Sequence, residues 1–308
     1  MKRCLLCLSC ILILLTGCTD IRTRLLPDIL AVDSADIMQF AAHTSQNSEI
    51  VSAQADTALQ MQDALRNASG SEISTGHLTM LAVSGNPCGI LEDYFQAQIL
   101  APNCLVLSVP ADACGLLRNS ELPLPEKLQA AAETGMLPCR TADTVLADLW
   151  GGSGITAVYT LSANGLTLTL WSSEGCCGTV SDDACRGLAL LGRQKQSFVF
   201  AADDIAYRLV SDTLRIQISQ TDTLKIDISG TVTAEPAISE SAAKRLTDML
   251  TAALSETVTA YGADLLYLRE HAIRSGISAA RSCSQAEWRE LLRSAECYVR
   301  LHTPFSRK

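Results

Sequence analysis

The chain has 308 residues and a formal charge of −9 at pH 7, with 48% hydrophobic and 19% charged residues. This surplus of acid excludes charge-driven binding to nucleic acid or to anionic lipid. The length suffices for two or three domains at the usual ~100–150 residues each.

In chain order the first element is an export signal. Lys2 and Arg3 make a short basic region, and Leu5 to Leu15 is an apolar core of the length such signals have. A membrane span would need roughly 20 apolar residues, and Thr16, Thr19 and Asp20 close this run too early. Residues 1–17 are therefore read as a segment that is cleaved off. An ordinary signal ends in small A-x-A residues, whereas Leu15-Thr16-Gly17-Cys18 resembles the bacterial lipobox. That resemblance implies that Cys18 sulfur takes a diacylglyceryl group before cleavage. Only a thiol is nucleophilic enough for the thioether, and small Gly17 leaves a peptidase access. Two acyl chains at about 0.8 kcal/mol per buried CH₂ hold a protein to a bilayer without a second signal. Loss of Lys2 and Arg3 takes the charge from −9 to −11, so lipid and not charge keeps the mature chain at the membrane.

Past a polar stretch near Thr44 to Asp56, Asp56 or Thr57 can cap a helix with Ala58, Met61, Leu65 and Ala68 on one face, closed by Ser69-Gly70. Leu78 to Val83 reads as a strand, Pro87 to Ala97 as a helix and Leu105 to Val109 as a strand. This alternation implies crossovers and partly parallel pairing. Upstream, Ile29 to Val32 and Ile37 to Ala41 form a hairpin at the edge of that sheet. A linker with Pro123, Pro125 and Pro138 closes an N-terminal α/β domain, 18–140. A middle β-rich domain, 141–200, carries a hairpin around Asn164-Gly165, because both central residues of a type I′ turn need positive φ. The C-terminal α/β domain, 201–308, has two antiparallel strands with Leu214, Ile216, Ile218 and Leu224, Ile226, Ile228 alternating with polar residues. Ser239 caps a long helix striped with Leu246, Leu250, Leu254, Val258 and Tyr261. Helix continues from Leu265 to Arg274, Trp288 lies on a short helix, and Cys297, Val299 and Leu301 mark a last strand. The fold class is mixed α/β, about three small domains built from mixed sheets with packed helices.

Catalytic constellations are thin. His43, His77, His271 and His302 are scattered, and Gly151-Gly152-Ser153-Gly154 lacks the glycine two residues after serine that a nucleophile elbow needs, so it reads as a flexible loop. Asp182-Asp183 and Asp203-Asp204 read as solvated turns. Of 13 cysteines, Cys4, Cys7 and Cys10 leave with the signal. Beyond Cys18 stand Cys88, Cys104, Cys114, Cys139, Cys176, Cys177, Cys185, Cys283 and Cys297. Their odd number and irregular spacing make no disulfide framework, although an exported protein could form one or more bridges. Cys176-Cys177 with Cys185 lacks a nearby fourth ligand and the paired spacing of zinc sites. No catalytic residue, cofactor or metal is expected.

Several stretches in order resemble the Ger(x)C family, the lipoprotein C subunits of nutrient germinant receptors in spore-forming Firmicutes. They are "GCTDIR" from Gly17, "TALQMQDALRNASGSEISTGHLTMLAVSG" from Thr57, "ILEDYFQAQILAPNCLVLSV" from Ile90, "LKIDISGTVTAE" from Leu224, "AYGADLLYL" from Ala260 and "EWRELLRSAECYVRL" from Glu287. The family's Cys-Trp-Asp opening is Cys18-Thr19-Asp20 here, and Thr141 to Phe200 matches least. The resemblance implies three α/β domains on the outer face of the spore inner membrane, partnered by a multi-spanning A subunit and a transporter-like B subunit, with no known catalytic activity. The alternative is an extracytoplasmic solute-binding lipoprotein of a transporter, which needs two lobes around a hinged cleft; no second doubly wound lobe is read here.

Overall fold

The computed structural model describes residues 24–35, 37–44, 49–119, 123–162, 165–192 and 198–303. A two-residue strand, β1 (Arg24–Leu25), leads to β2 (Ile29–Asp33), β3 (Met38–Thr44) and β4 (Glu49–Ala55). Ile29-Leu30-Ala31-Val32 is apolar at every position because both faces of β2 are covered. β4 lies in the polar stretch near Thr44 to Asp56, whose sequence carries no strand signal. It is an edge strand with Ser52 and Gln54 facing water, so its apolar signal is weak. The β2–β3 hairpin forms, but inside the sheet and not at its edge.

A 3₁₀ turn (Ala58–Gln60) runs into α1 (Met61–Ser69), which buries Met61 and Leu65 and ends on left-handed Gly70. Ala68 is exposed, and no side chain caps the start. Then come β5 (Glu72–Ile73), paired with β1, β6 (Met80–Ser84), α2 (Cys88–Gln96) and β7 (Leu105–Val109). The proline-containing linker is helical instead: after α3 (Ala113–Asn119), α4 (Leu124–Glu133) carries Pro125 in its first turn, where the missing N–H costs nothing. Next come α5 (Ala142–Gly151), β8 (Ile155–Ser162), β9 (Gly165–Ser172) and β10 (Gly175–Val180).

These strands form one eight-stranded sheet in the order β10-β9-β8-β7-β6-β2-β3-β4. Its centre is parallel and its two ends are antiparallel. The boundary expected between residues 140 and 141 is crossed by this sheet, since Leu107 pairs with Tyr159 and Ser108 with Thr160. One face, with Leu30, Phe40, Leu81, Val106 and Val158, packs on α1, α2 and α5. The other, with Ala31, Ala82, Leu107, Ala157 and Tyr159, packs on α3, α4 and α6 (Asp182–Leu191). The expected hairpin is present with a shifted turn: Ser162 pairs with Gly165, so its two loop residues are 163 and 164, outside the described residues. In this register Leu168 and Leu170 face the core alongside Tyr159 and Ala157.

The second sheet holds β11 (Val199–Ala202), β12 (Ile205–Asp212), β13 (Arg215–Gln220), β14 (Leu224–Glu235) and, beyond α7 (Glu240–Ala253), α8 (Leu268–Arg274), α9 (Ser278–Ser282) and α10 (Gln285–Arg293), β15 (Glu296–His302). The expected boundary at 200/201 falls within β11. β13 and β14 pair antiparallel as expected, with Ile216 opposite Ile228 and Ile218 opposite Ile226. β15 joins β14 in parallel. At Gly230 a Cβ would lie 2.6 Å from the Thr213 carbonyl oxygen, so only glycine fits beside the break between β12 and β13. Ser239 Oγ caps α7 by accepting the Ala242 N–H, and Leu246, Leu250 and Leu254 are buried in the same core as Leu224, Ile226 and Ile228.

α7 widens into a π-helical segment (Leu254–Thr259), and the helix expected to run on through Leu265 is broken. Gly262 turns left-handed, and α8 starts only after left-handed Tyr267. α6 and α7 touch backbone to backbone: a Cβ on Gly187 would sit 2.1 Å from the Met249 carbonyl oxygen. Asp183, read from sequence as part of a solvated turn, lies in the first turn of α6 and pairs with Arg245 of α7 through both guanidinium nitrogens. Glu256 completes the clamp by accepting from Ser181 N and Oγ at 2.8 and 2.6 Å. Asp203 and Asp204 do form a turn, both left-handed, between β11 and β12.

Candidate functional site

Cys18 and the lipobox lie outside the described residues. No helix among the described residues is long and apolar enough to cross a membrane.

In doubly wound sheets, ligands usually sit beyond the carboxyl ends of the parallel strands, at helix N-termini. Here the protein's own side chains occupy those positions. Asp33, at the end of β2, accepts the Ala113 and Cys114 N–H groups of α3 at 2.6 and 3.1 Å. Asn86 accepts the Cys88 N–H of α2 and donates to the Ser172 carbonyl, both at 3.0 Å. An anion arriving there would have to displace Asp33.

A polar buried region lies where α5, the Gly151–Gly154 loop and the segment after α7 meet. Arg140 and Asp148 are 5% and 1% exposed. Arg140 Nε donates to the Ala157 carbonyl at 2.8 Å, and its Nη2 donates to Thr156 Oγ1 at 2.9 Å and to Asp148 Oδ2. Thr156 Oγ1 donates to the same carboxylate oxygen at 3.0 Å. Tyr159 hydroxyl accepts the Arg140 N–H at 3.0 Å and donates to the Pro138 carbonyl at 2.8 Å. The other oxygen, Asp148 Oδ1, has no hydrogen-bond partner among the described residues. Burial pushes the Asp148 carboxyl up to about 6, against the opposing pull of Arg140 and Thr156.

Asp264 is the second buried carboxylate. It accepts from Leu268 N at 2.5 Å, Arg269 N at 2.9 Å and Trp288 Nε1 at 2.9 Å. These bonds fix where α8 begins and explain the break before it. Burial still raises its pKa above the ordinary value, partly offset by those donors. Asp264 N donates to Ser153 Oγ, Arg289 Nε donates to the Ser153 carbonyl, and Gln285 Nε2 donates to the Leu149 and Trp150 carbonyls. The "GGSG" segment is thus no flexible loop: Ser153 is fully buried, and its polar groups join the two sheets. A cavity of about 160 Å³ lies here, walled by Ala147, Asp148, Gly151, Gly152, Asp264, Tyr267, Arg269 and Glu270.

Arg140, Asp148, Asp264 and Tyr267 belong to no sequence motif. One signal was available, since Asp148 stands between Leu146 and Leu149 on the apolar face of its helix.

The histidines are dispersed. His43 Nδ1 bonds Asp28 at 2.9 Å, while His77 sits on an exposed 3₁₀ turn. All nine cysteines after Cys18 are free thiols. Burial raises Cys88, Cys104, Cys114 and Cys185 to about 12, which keeps them protonated and unreactive. Among the described residues no three His, Cys, Asp or Glu side chains gather as a metal site.

No protein-family model matches the chain, and no curated protein matches it by sequence. The crystal structure of the GerBC protein superimposes on it with a TM-score of 0.53 at 13% identity, covering 88% of this chain and 95% of that one. The likeness is one of fold: the chain has a Ger(x)C-like fold.

Proposed function

We propose that this protein is the membrane-tethered C subunit of a nutrient germinant receptor, held on the outer face of the spore inner membrane by acylated Cys18. It acts by assembly with the membrane-embedded A and B subunits and carries out no reaction of its own. The observation that supports this most is the likeness to GerBC over nearly the whole of both chains. The ordered sequence resemblance and the lipobox add to it. Anchoring raises the effective concentration of a contact surface near membrane partners, so the lipid contributes to assembly without any new protein contact.

The test is genetic and chemical together. In the spore-forming host, Cys18→Ser should abolish incorporation of a fatty-acid analogue. It should also slow the response to one class of nutrient, as gene deletion does, while triggers that bypass the receptors still work. Deletion spores that respond normally to every amino acid and sugar, in a strain stripped of related receptors, would overturn the assignment.

A further inference from the structure

We propose that the helical layer formed by α1, α2 and α5 lies against the lipid bilayer, with Phe95 and Trp150 seated among the headgroups. Both rings are exposed, 42% and 46%, and they meet edge to face with centroids 5.1 Å apart. The ring contacts of Phe200 with Phe198 and Tyr207 are buried by contrast. Leu59, 53% exposed, stands on the 3₁₀ turn that packs against α2, the helix carrying Phe95. Aromatic side chains favour the boundary between water and hydrocarbon. Trp150 Nε1 already donates to Glu92 at 3.0 Å, so its N–H keeps a partner wherever the ring is placed.

The choice of a bilayer over a protein partner follows from where the chain enters the fold, and it rests on the tether of the proposed function. Cys18 stands six Cα steps before Arg24, at most about 20 Å when fully extended. A folded chain of this length has a radius of gyration of roughly 19 Å, so the tether is too short to reach round the molecule. Its inner end is fixed, because Arg24 pairs with Glu72 in the β1–β5 ladder. Leu25 and Ile73 of that ladder pack on the same core cluster as Met61, Leu91 and Leu146 of α1, α2 and α5. The tether therefore enters at the layer that bears the aromatic pair. Phe95, Trp150 and Leu59 are also far fewer than the roughly 20–30 residues a side of a protein interface. A tethered chain needs less area, since its docking is intramolecular. Glu92 beside the pair and the acidic mature chain favour a neutral lipid such as phosphatidylcholine.

The test supplies the tether by other means, so that docking and acylation fail separately. The mature chain from residue 18, with a hexahistidine tag in place of the acyl group, is bound to phosphatidylcholine vesicles containing a nickel-chelating lipid. Its tryptophan fluorescence is compared with that on vesicles of acyl-chain-brominated phosphatidylcholine, whose bromines quench an indole close to them. Trp288 is buried and Trp171 half-buried, so quenching reports chiefly on Trp150. The wild type should be quenched to the same extent at low and high salt, because the contact is apolar. Trp150→Tyr should remove the quenching, and Phe95→Ser, which keeps the fluorophore, should reduce it at least about twofold by deleting the second ring. Should Phe95→Ser not fold, Trp150→Tyr decides alone. A vesicle-bound wild type without quenching, the result expected if the pair meets a protein instead, would overturn the docking face. So would quenching that salt abolishes, or quenching undiminished in either variant.

Discussion

Arg140 and Asp148 show how little charge the interior tolerates. The two partners lie eight residues apart, one on a loop and one on a helix, and both are withdrawn from water. Removing the cation alone should be more damaging than neutralising the whole pair, because it strands a buried carboxylate. Arg140→Met is expected to cost about 3–5 kcal/mol at neutral pH. The pH dependence has a definite sign. Asp148 is raised from 3.8 to about 6 in the folded chain, so the folded state binds a proton where the unfolded state does not. Its contribution to stability therefore improves as pH falls through about 6 towards 3.8. Without Arg140 the folded pKa moves higher still, so the deficit of Arg140→Met should be largest near neutrality and should shrink on acidification. Urea denaturation at a series of pH values measures it; a deficit that grows towards acid would show that the pair is not buried as described.

At the scale of elements, α7 has two duties. Its Leu246 and Leu250 belong to the core of the second sheet, while Met249 and Ala253 receive α6 at Gly187. A charge introduced on the sheet side has no partner in reach. Leu250→Asp should cost at least about 3 kcal/mol and leave the C-terminal half unfolded or molten. Near-ultraviolet circular dichroism checks this through the environment of buried Trp288, and an unchanged spectrum would mean that the helix docks differently. The capping of these helices is local and legible: Ser239 before α7, and Ser284 with Glu287 in a reciprocal box before α10. The break between α7 and α8 is not local, since Asp264 takes part of its hydrogen bonding from Trp288 on a later helix.

Across the whole molecule the two sheets share a continuous apolar core running through α6 and α7. The Ser153, Gln285 and Arg289 hydrogen bonds stitch the same seam. Such a shared core should make unfolding cooperative. Thermal unfolding followed by tryptophan fluorescence and by far-ultraviolet circular dichroism should coincide in the wild type. Gly187→Leu should drive the transitions apart, because its side chain is forced into the Met249 backbone. Separate transitions in the wild type would show that the seam does not couple the halves.

What the sequence by itself determined was everything with a short-range cause. Short apolar runs placed β2 and β7, period-2 alternation placed β13 and β14, the leucine stripe placed α7, and a serine cap placed its start, because each signal lies within one turn or a few residues of its effect. Ordered resemblance pointed to the arrangement of these elements, and the likeness to GerBC is of that same arrangement. Tertiary structure alone decided the rest. It joined β8 to β7 across an expected domain boundary, drew β4 from a polar stretch and closed the β8–β9 hairpin with Ser162 opposite Gly165. It also turned "GGSG" into a buried junction and brought Asp148 and Asp264 to one cavity, 116 positions apart in number and adjoining in space. The physical reason is the same in each case. These outcomes depend on which surfaces lose water to which others, and that is a property of the packed chain that no local window of sequence contains.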